Sequence, residues 1–113
     1  MVYEFILPIP PANNRYYRHA RGRTYLSAEG KAYKQEIKLL ARPIMLKGPL
    51  RIEVEIHPRD NRKRDIDGYQ KGLFDALTFA GIWEDDSQVD EMEFVRGENN
   101  KGNPHLKIKI FKI

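Results

Sequence analysis

Leu50, Ile52, Val54 and Ile56 alternate without a break with Arg51, Glu53, Glu55 and His57. An apolar residue at every second position puts the apolar side chains on one face of an extended strand and the polar ones on the other. Such a strand belongs in a sheet with one dry face and one wet face. The same alternation returns at Leu106, Ile108 and Ile110, spaced by Lys107 and Lys109 and followed by Phe111. A sheet of this kind needs cover on one side only, which predicts two layers with the helices on the apolar face.

Two segments have the helical period that this cover requires. Ser27 is placed to cap a helix with apolar positions at Ala28, Ala32, Tyr33, Ile37, Leu40 and Ala41, and Pro43 bounds it. Lys31, Lys34 and Lys38 line another side of it, an ordinary solvated face. The second helix has Tyr69, Leu73, Ala76, Leu77 and Ala80 on its apolar side. Asp67 followed three residues later by Gln70 fits an acidic capping box, so the N-cap is expected at Asp67, with extended chain from Arg64 to Asp67. Gly81 suits the position just past the helix end.

Three further stretches complete the sheet. Val2 to Leu7 is β-branched and aromatic and reads as a strand with both faces largely covered, ended by Pro8. A loop rich in Pro and Asn follows. Val89 to Val95 reads as a strand with Met92 and Phe94 inward. It is expected to pair with the last strand as an antiparallel hairpin across the polar loop from Gly97 to Pro104, lysines facing glutamates. The order is β-α-β-α-β-β, with parallel neighbours expected among the first three strands. The expected fold is an α+β (α/β-like) two-layer sandwich, a mixed four-stranded sheet with two helices on one face. At 113 residues the chain has room for a single domain, 1–113, with no repeat or linker.

The chain has no cysteine, which excludes thiolate chemistry and disulfides and is compatible with a reducing cytoplasm. No apolar run is long enough to span a bilayer, so no membrane partner is expected. The net charge of +4 is unevenly placed. Arg15-Tyr16-Tyr17-Arg18-His19-Ala20-Arg21-Gly22-Arg23 interleaves arginines with tyrosines, and Arg62-Lys63-Arg64 forms a second basic cluster. Arginines neutralise phosphates and tyrosines stack on unpaired bases, so Arg15, Tyr16, Arg18, Arg21, Arg23, Arg62, Lys63 and Arg64 are candidate nucleic-acid contacts. A solvated hairpin with Arg–Tyr packing is the plainer alternative for the first cluster.

Directly after the second basic cluster come Asp65 and Asp67, then Lys71, and beyond Gly81 a second acidic pair, Asp85 and Asp86. A capped helix with surface ion pairs accounts for Asp75, which has Lys71 at i−4. It does not account for Asp65 and Asp67, because a cap needs one acid and a second adds repulsion. Hard oxygen donors with few histidines point to magnesium, or manganese, rather than zinc.

Asp65-x-Asp67-x-x-x-Lys71, Phe74-Asp75-Ala76-Leu77, Ala80-Gly81-x-Trp83 and Asp85-Asp86-x-Gln88-Val89 together resemble the RusA family of Holliday-junction resolvases. Pro10-Pro11-Ala12-Asn13-Asn14-Arg15-Tyr16-Tyr17-Arg18, Arg21-Gly22-Arg23-Thr24 and Ser27-Ala28-Glu29-Gly30 extend the resemblance over nearly the whole chain. It implies a metal-dependent endodeoxyribonuclease, bacterial or phage-encoded, acting as a homodimer on four-way DNA junctions. It implies metal ligation by Asp65, Asp67 and Asp86, with Asp85 a fourth or supporting acid, and catalysis by Asp65, Asp67, Asp86 and Lys71. The family commonly has Asn directly after the second Asp, and this chain has Gly68. That departure leaves open a junction- or single-strand-binding module with weak or no cleavage, and a general nuclease for flaps or other branched DNA is a third reading.

Overall fold

The alternating strand β4 (Leu50–His57) has Leu50, Ile52, Val54 and Ile56 buried on one side and its charged residues on the other. The computed structural model describes residues 2–62 and 64–113. With β1 (Val2–Leu7), β5 (Val89–Arg96) and β6 (His105–Lys112), β4 forms a mixed four-stranded sheet in the order β1-β6-β4-β5. A separate two-stranded sheet is made by β2 (Tyr17–Ala20) and β3 (Arg23–Leu26), joined through Arg21 and Gly22. The helices are a short α1 (Asn13–Tyr16), α2 (Ala28–Leu40) and α3 (Gln70–Phe79). Tyr33 and Ile37 of α2 and Leu73, Phe74, Ala76 and Leu77 of α3 join the inward sheet residues in one core. No helix is long and apolar enough to cross a membrane among the described residues.

The strand pairing corrects the sequence expectation. β6 does not pair with β5; it lies between β1 and β4, antiparallel to both, and only β4 and β5 run parallel. Leu106, Ile108 and Ile110 are almost wholly buried, which an interior strand achieves and an edge strand does not. Lys109 still faces carboxylates, but those of Glu4 on β1 and Glu53 on β4. Residues 97–104 therefore cross the end of β4 instead of turning a hairpin, with the Gly97 N–H donating to Ile56 O and that of Asn100 to Pro58 O. β1 and β5 become the edges. Val2, Glu4 and Ile6 are consequently exposed, so β1 is covered on one face only, and Met92, expected inward, is 55% exposed. Across the outward face Arg51 binds Glu53 at 3.2 Å and Glu91 and Glu93 at 3.4 Å each, fixing the β4–β5 register.

Ser27 caps α2 as expected, its Oγ accepting from the Gly30 N–H at 3.0 Å. The buried stripe of α2 is narrower than its apolar positions suggested, since Ala28, Ala32 and Leu40 are exposed. α3 ends in a Schellman turn. The Ile82 N–H reaches Leu77 O and the Gly81 N–H reaches Thr78 O, with Gly81 at φ +80°, a conformation glycine adopts without strain. The start of α3 differs from expectation. Asp67 is not an N-cap; Ile66–Tyr69 forms a 3₁₀ turn, Asp65 is the last extended residue, and α-helix begins at Gln70. A three-residue repeat eclipses Ile66 and Tyr69, so both turn toward the core from one side of the turn.

Tyr16 ties these helices together. Its ring is fully buried between Gly30 of α2 and Gly72 of α3, where an added Cβ would fall 2.9 and 2.6 Å from ring atoms. The chain leaving this wedge is Tyr17, the first residue of β2.

Candidate active site

Two neighbouring groups of charged side chains flank the start of α3. The first is a cleft of about 580 Å³ lined by Asp60, Arg62, Arg64, Asp65, Tyr69 and Arg96, among others. Arg64 is held rather than free. Its guanidinium donates to Asp60 Oδ1 at 2.7 Å, to Asp60 O at 3.0 Å and to Arg62 O at 3.0 Å. The Arg62 backbone N–H and then the Arg64 guanidinium hold the Asp60 carboxyl below its ordinary pKa. Arg96 donates to Arg64 O at 2.5 Å and so ties β5 to the same segment. Asp65 sits in this cleft, exposed, while Asp67 is exposed on the 3₁₀ turn. Lys63 lies outside the described residues.

The second group centres on Lys71. Its Nζ is 3.4 Å from Asp75 Oδ2, the ion pair read from the i,i+4 spacing. The same Nζ stands 3.8 Å above the Tyr17 ring, and the Tyr17 hydroxyl donates to the same Asp75 oxygen. The Tyr17 hydroxyl is pushed well above the ordinary tyrosine range, first by burial, then by its bond to Asp75 and the Asp75 charge, and finally by Tyr16 and Asp86. Nothing in the sequence marked Tyr17 for this place, because its partners lie far along the chain.

Asp86 begins a one-turn 3₁₀ helix, Asp86–Gln88, that packs against α3 and leads into β5. Asp85 caps this turn, and its carboxylate accepts from Ser87 Oγ. Gln88 fixes the turn in space: Oε1 accepts from the Glu84 and Asp85 N–H groups, while Nε2 donates to Leu46 O at 2.9 Å and Gly48 O at 3.0 Å. The turn carrying Asp67 packs in its own right against β5. The Asp67 turn thus meets β5 and the Asp86 turn meets α3. Among the described residues, no three acidic or imidazole side chains converge closely enough to hold a metal by themselves. The donors present are all carboxylate oxygens, which suits magnesium. That ion keeps several waters and takes one or two carboxylates plus substrate phosphate, so its chemistry does not require a closed cage.

The basic residues divide by environment. Arg18, Arg21 and Arg23 are exposed on the hairpin and have no ion-pair partner among the described residues; Arg15 lies 4.0 Å from Glu29 and Arg62 lies 4.0 Å from Asp60. Tyr16 is corrected: a ring enclosed between two helices has no face to offer a base. Tyr25, 52% exposed and directly across the hairpin from Arg18, has that open face, and sequence reading passed over it.

Residues 8–111 match the family described as Endodeoxyribonuclease RusA. Over 115 aligned residues the chain is 48% identical to a protein of Shigella sonnei (strain Ss046) named Crossover junction endodeoxyribonuclease RusA, covering 98% of this chain and 95% of that one. Proteins of the same name from Escherichia coli (strain K12) and Enterobacteria phage 82 match with the same identity and coverage.

Proposed function

This chain belongs to the RusA family, and from that premise we propose that it is a magnesium-dependent endodeoxyribonuclease that resolves four-way DNA junctions as a homodimer, by paired symmetric phosphodiester hydrolysis, in a bacterial or phage-infected cytoplasm. The observation that carries this reading is the near-full-length match at 48% identity to proteins named as crossover junction endodeoxyribonucleases. Its support in the structure is the start of α3, where Asp65 lines an arginine-rich cleft, Asp67 is exposed on the turn that follows, and Lys71 lies in the first turn of the helix.

Asp65, Asp67 and Asp86 would hold magnesium, with manganese as a substitute; Asp85, engaged in capping, would support the turn more than ligate. Bound there, the ion would supply Lewis-acid polarisation of the scissile phosphate and a more acidic bound water. The chain's own residues do the remaining work. Lys71 places a positive charge where negative charge gathers on phosphate oxygens in the transition state. Arg62 and Arg64 position the phosphate backbone beside the acids, and Arg18, Arg21 and Arg23 hold a neighbouring strand. Gly68, where the family commonly has Asn, is not imposed by crowding, since a Cβ there would meet nothing within 4 Å.

A second reading keeps junction binding without cleavage, and Gly68 in place of the Asn common in the family favours it. One experiment separates the two. The protein is incubated with a synthetic four-way junction and with the matching linear duplex, with and without magnesium. Paired nicks at symmetric positions, in the junction only and with magnesium only, are expected. Tight binding with no cutting in magnesium or manganese would leave a binding module, and equal cutting of the linear duplex would make it a general nuclease.

A further inference from the structure

We propose that Tyr17 and Asp75 are positioning residues that fix the Lys71 ammonium and couple it to the arginine-bearing hairpin, a proposal that rests on the charge-stabilising role given to Lys71 above. An exposed i,i+4 lysine–carboxylate pair is a weak restraint, because the long side chain retains many rotamers and water competes for both charges. Lys71 is restrained from two directions instead. Asp75, one turn along α3, holds Nζ at 3.4 Å, and the Tyr17 ring, from a different element, lies under it at 3.8 Å. The Tyr17 hydroxyl closes the triangle by donating to the same carboxylate oxygen.

Each part suits a lysine that must be both still and charged. An aromatic face attracts an ammonium without neutralising it. Asp75 divides one oxygen between two donors, so it orients Nζ without claiming all of its hydrogen bonds. The backbone carrying this tyrosine is anchored by Tyr16 before it, which is wedged between Gly30 and Gly72. A surface ion pair would not need a partly buried hydroxyl brought from a separate strand 58 residues away in the chain. Tyr17 is also followed directly by Arg18, whose cross-strand partner is the exposed Tyr25. A DNA strand gripped by the hairpin therefore loads the same strand of protein that supports Lys71.

The test compares Tyr17→Phe, Asp75→Asn and Lys71→Ala singly and combined, by single-turnover cleavage of the four-way junction, junction affinity and thermal midpoint. Tyr17→Phe keeps the ring and removes only the hydroxyl. It is expected to slow cleavage about tenfold with affinity and thermal midpoint nearly unchanged, and Tyr17→Leu, which removes the ring as well, to slow it further. In the Lys71→Ala background Tyr17→Phe should cost nothing more, because a residue acting through Lys71 has nothing left to act on. An equal loss in both backgrounds overturns the positioning role. A Lys71→Ala protein that cuts normally removes the role of Lys71 itself, a separate failure. A readout independent of cleavage is the nitrogen NMR signal of Lys71 Nζ. It should report an ordered ammonium in the parent and a mobile one in Tyr17→Phe and Asp75→Asn, and an equally mobile ammonium in all three also overturns the proposal.

Discussion

Asp67 is the residue whose replacement says most about the chemistry. Asp67→Asn keeps size and shape and removes one negative charge from an exposed turn. Cleavage of the junction should fall by about 100-fold or more, because the ion that would stabilise charge on the phosphate loses a ligand. Junction binding should hold or tighten, since a charge that repels phosphate is gone; normal cutting by this variant would remove Asp67 from the ligand set. Asp60 gives a prediction in pH. Its carboxyl is held below its ordinary pKa of 3.8 by the Arg62 N–H and the Arg64 guanidinium. A depressed folded-state pKa means that its contribution to stability is present above that ordinary value and is lost as pH falls through the lower, folded one. A carbon-detected NMR titration should place the Asp60 midpoint below the ordinary 3.8. A midpoint at or above that value would contradict the clamp on Arg64. Among single residues, the Lys71–Asp75 pair was legible because i,i+4 is a local relation. The parts of Tyr16 and Tyr17 were not, because an arginine–tyrosine run carries no period that separates an enclosed ring from an open one.

At the scale of elements, the wedge between α2 and α3 gives the clearest prediction. Ala in place of Gly is worth up to about 1 kcal/mol in an exposed helix interior, and an overpacked core costs about 1–3 kcal/mol. At Gly72 the added Cβ would fall 2.6 Å from two carbons of a ring already pressed against α2, so overpacking wins. Gly72→Ala should lower the stability read from a urea midpoint by about 1–2 kcal/mol. Gly68→Ala, with open space around it, should leave that midpoint unchanged or raise it, and an equal loss at both positions would deny the wedge. Element identity was largely readable from periodicity: β4, β6, α2 and the end of α3 fall where the spacing put them. Pairing was not. β5 and β6 both alternate, and a lysine strand finds glutamates equally on β5, β4 or β1, so charge complementarity did not select the neighbour. The start of α3 misled for a related reason, since Asp-x-x-Gln fits a cap while the burial of Ile66 and Tyr69 favours a three-residue turn.

At the scale of the whole molecule, charge is sorted by face. Glu4, Glu53, Glu55, Glu91 and Glu93 outnumber Arg51, Lys107 and Lys109 on the outward side of the sheet, so the excess positive charge is carried elsewhere, largely by the hairpin and the segment leading to Asp65. DNA is accordingly expected at the start of α3, beside the hairpin and the arginine-lined cleft, and not on the sheet. The whole account requires the two acidic loops, separate in sequence, to serve a single ion beside a phosphate. The most direct measurement is the amide NMR spectrum of the protein bound to a four-way junction with a non-hydrolysable linkage, titrated with manganese. Signals from 64–68 and from 84–88 should broaden together at the same manganese concentration, and Asp67→Asn should weaken both. Broadening confined to one stretch, or absent from both while the junction stays bound, would contradict a shared metal site.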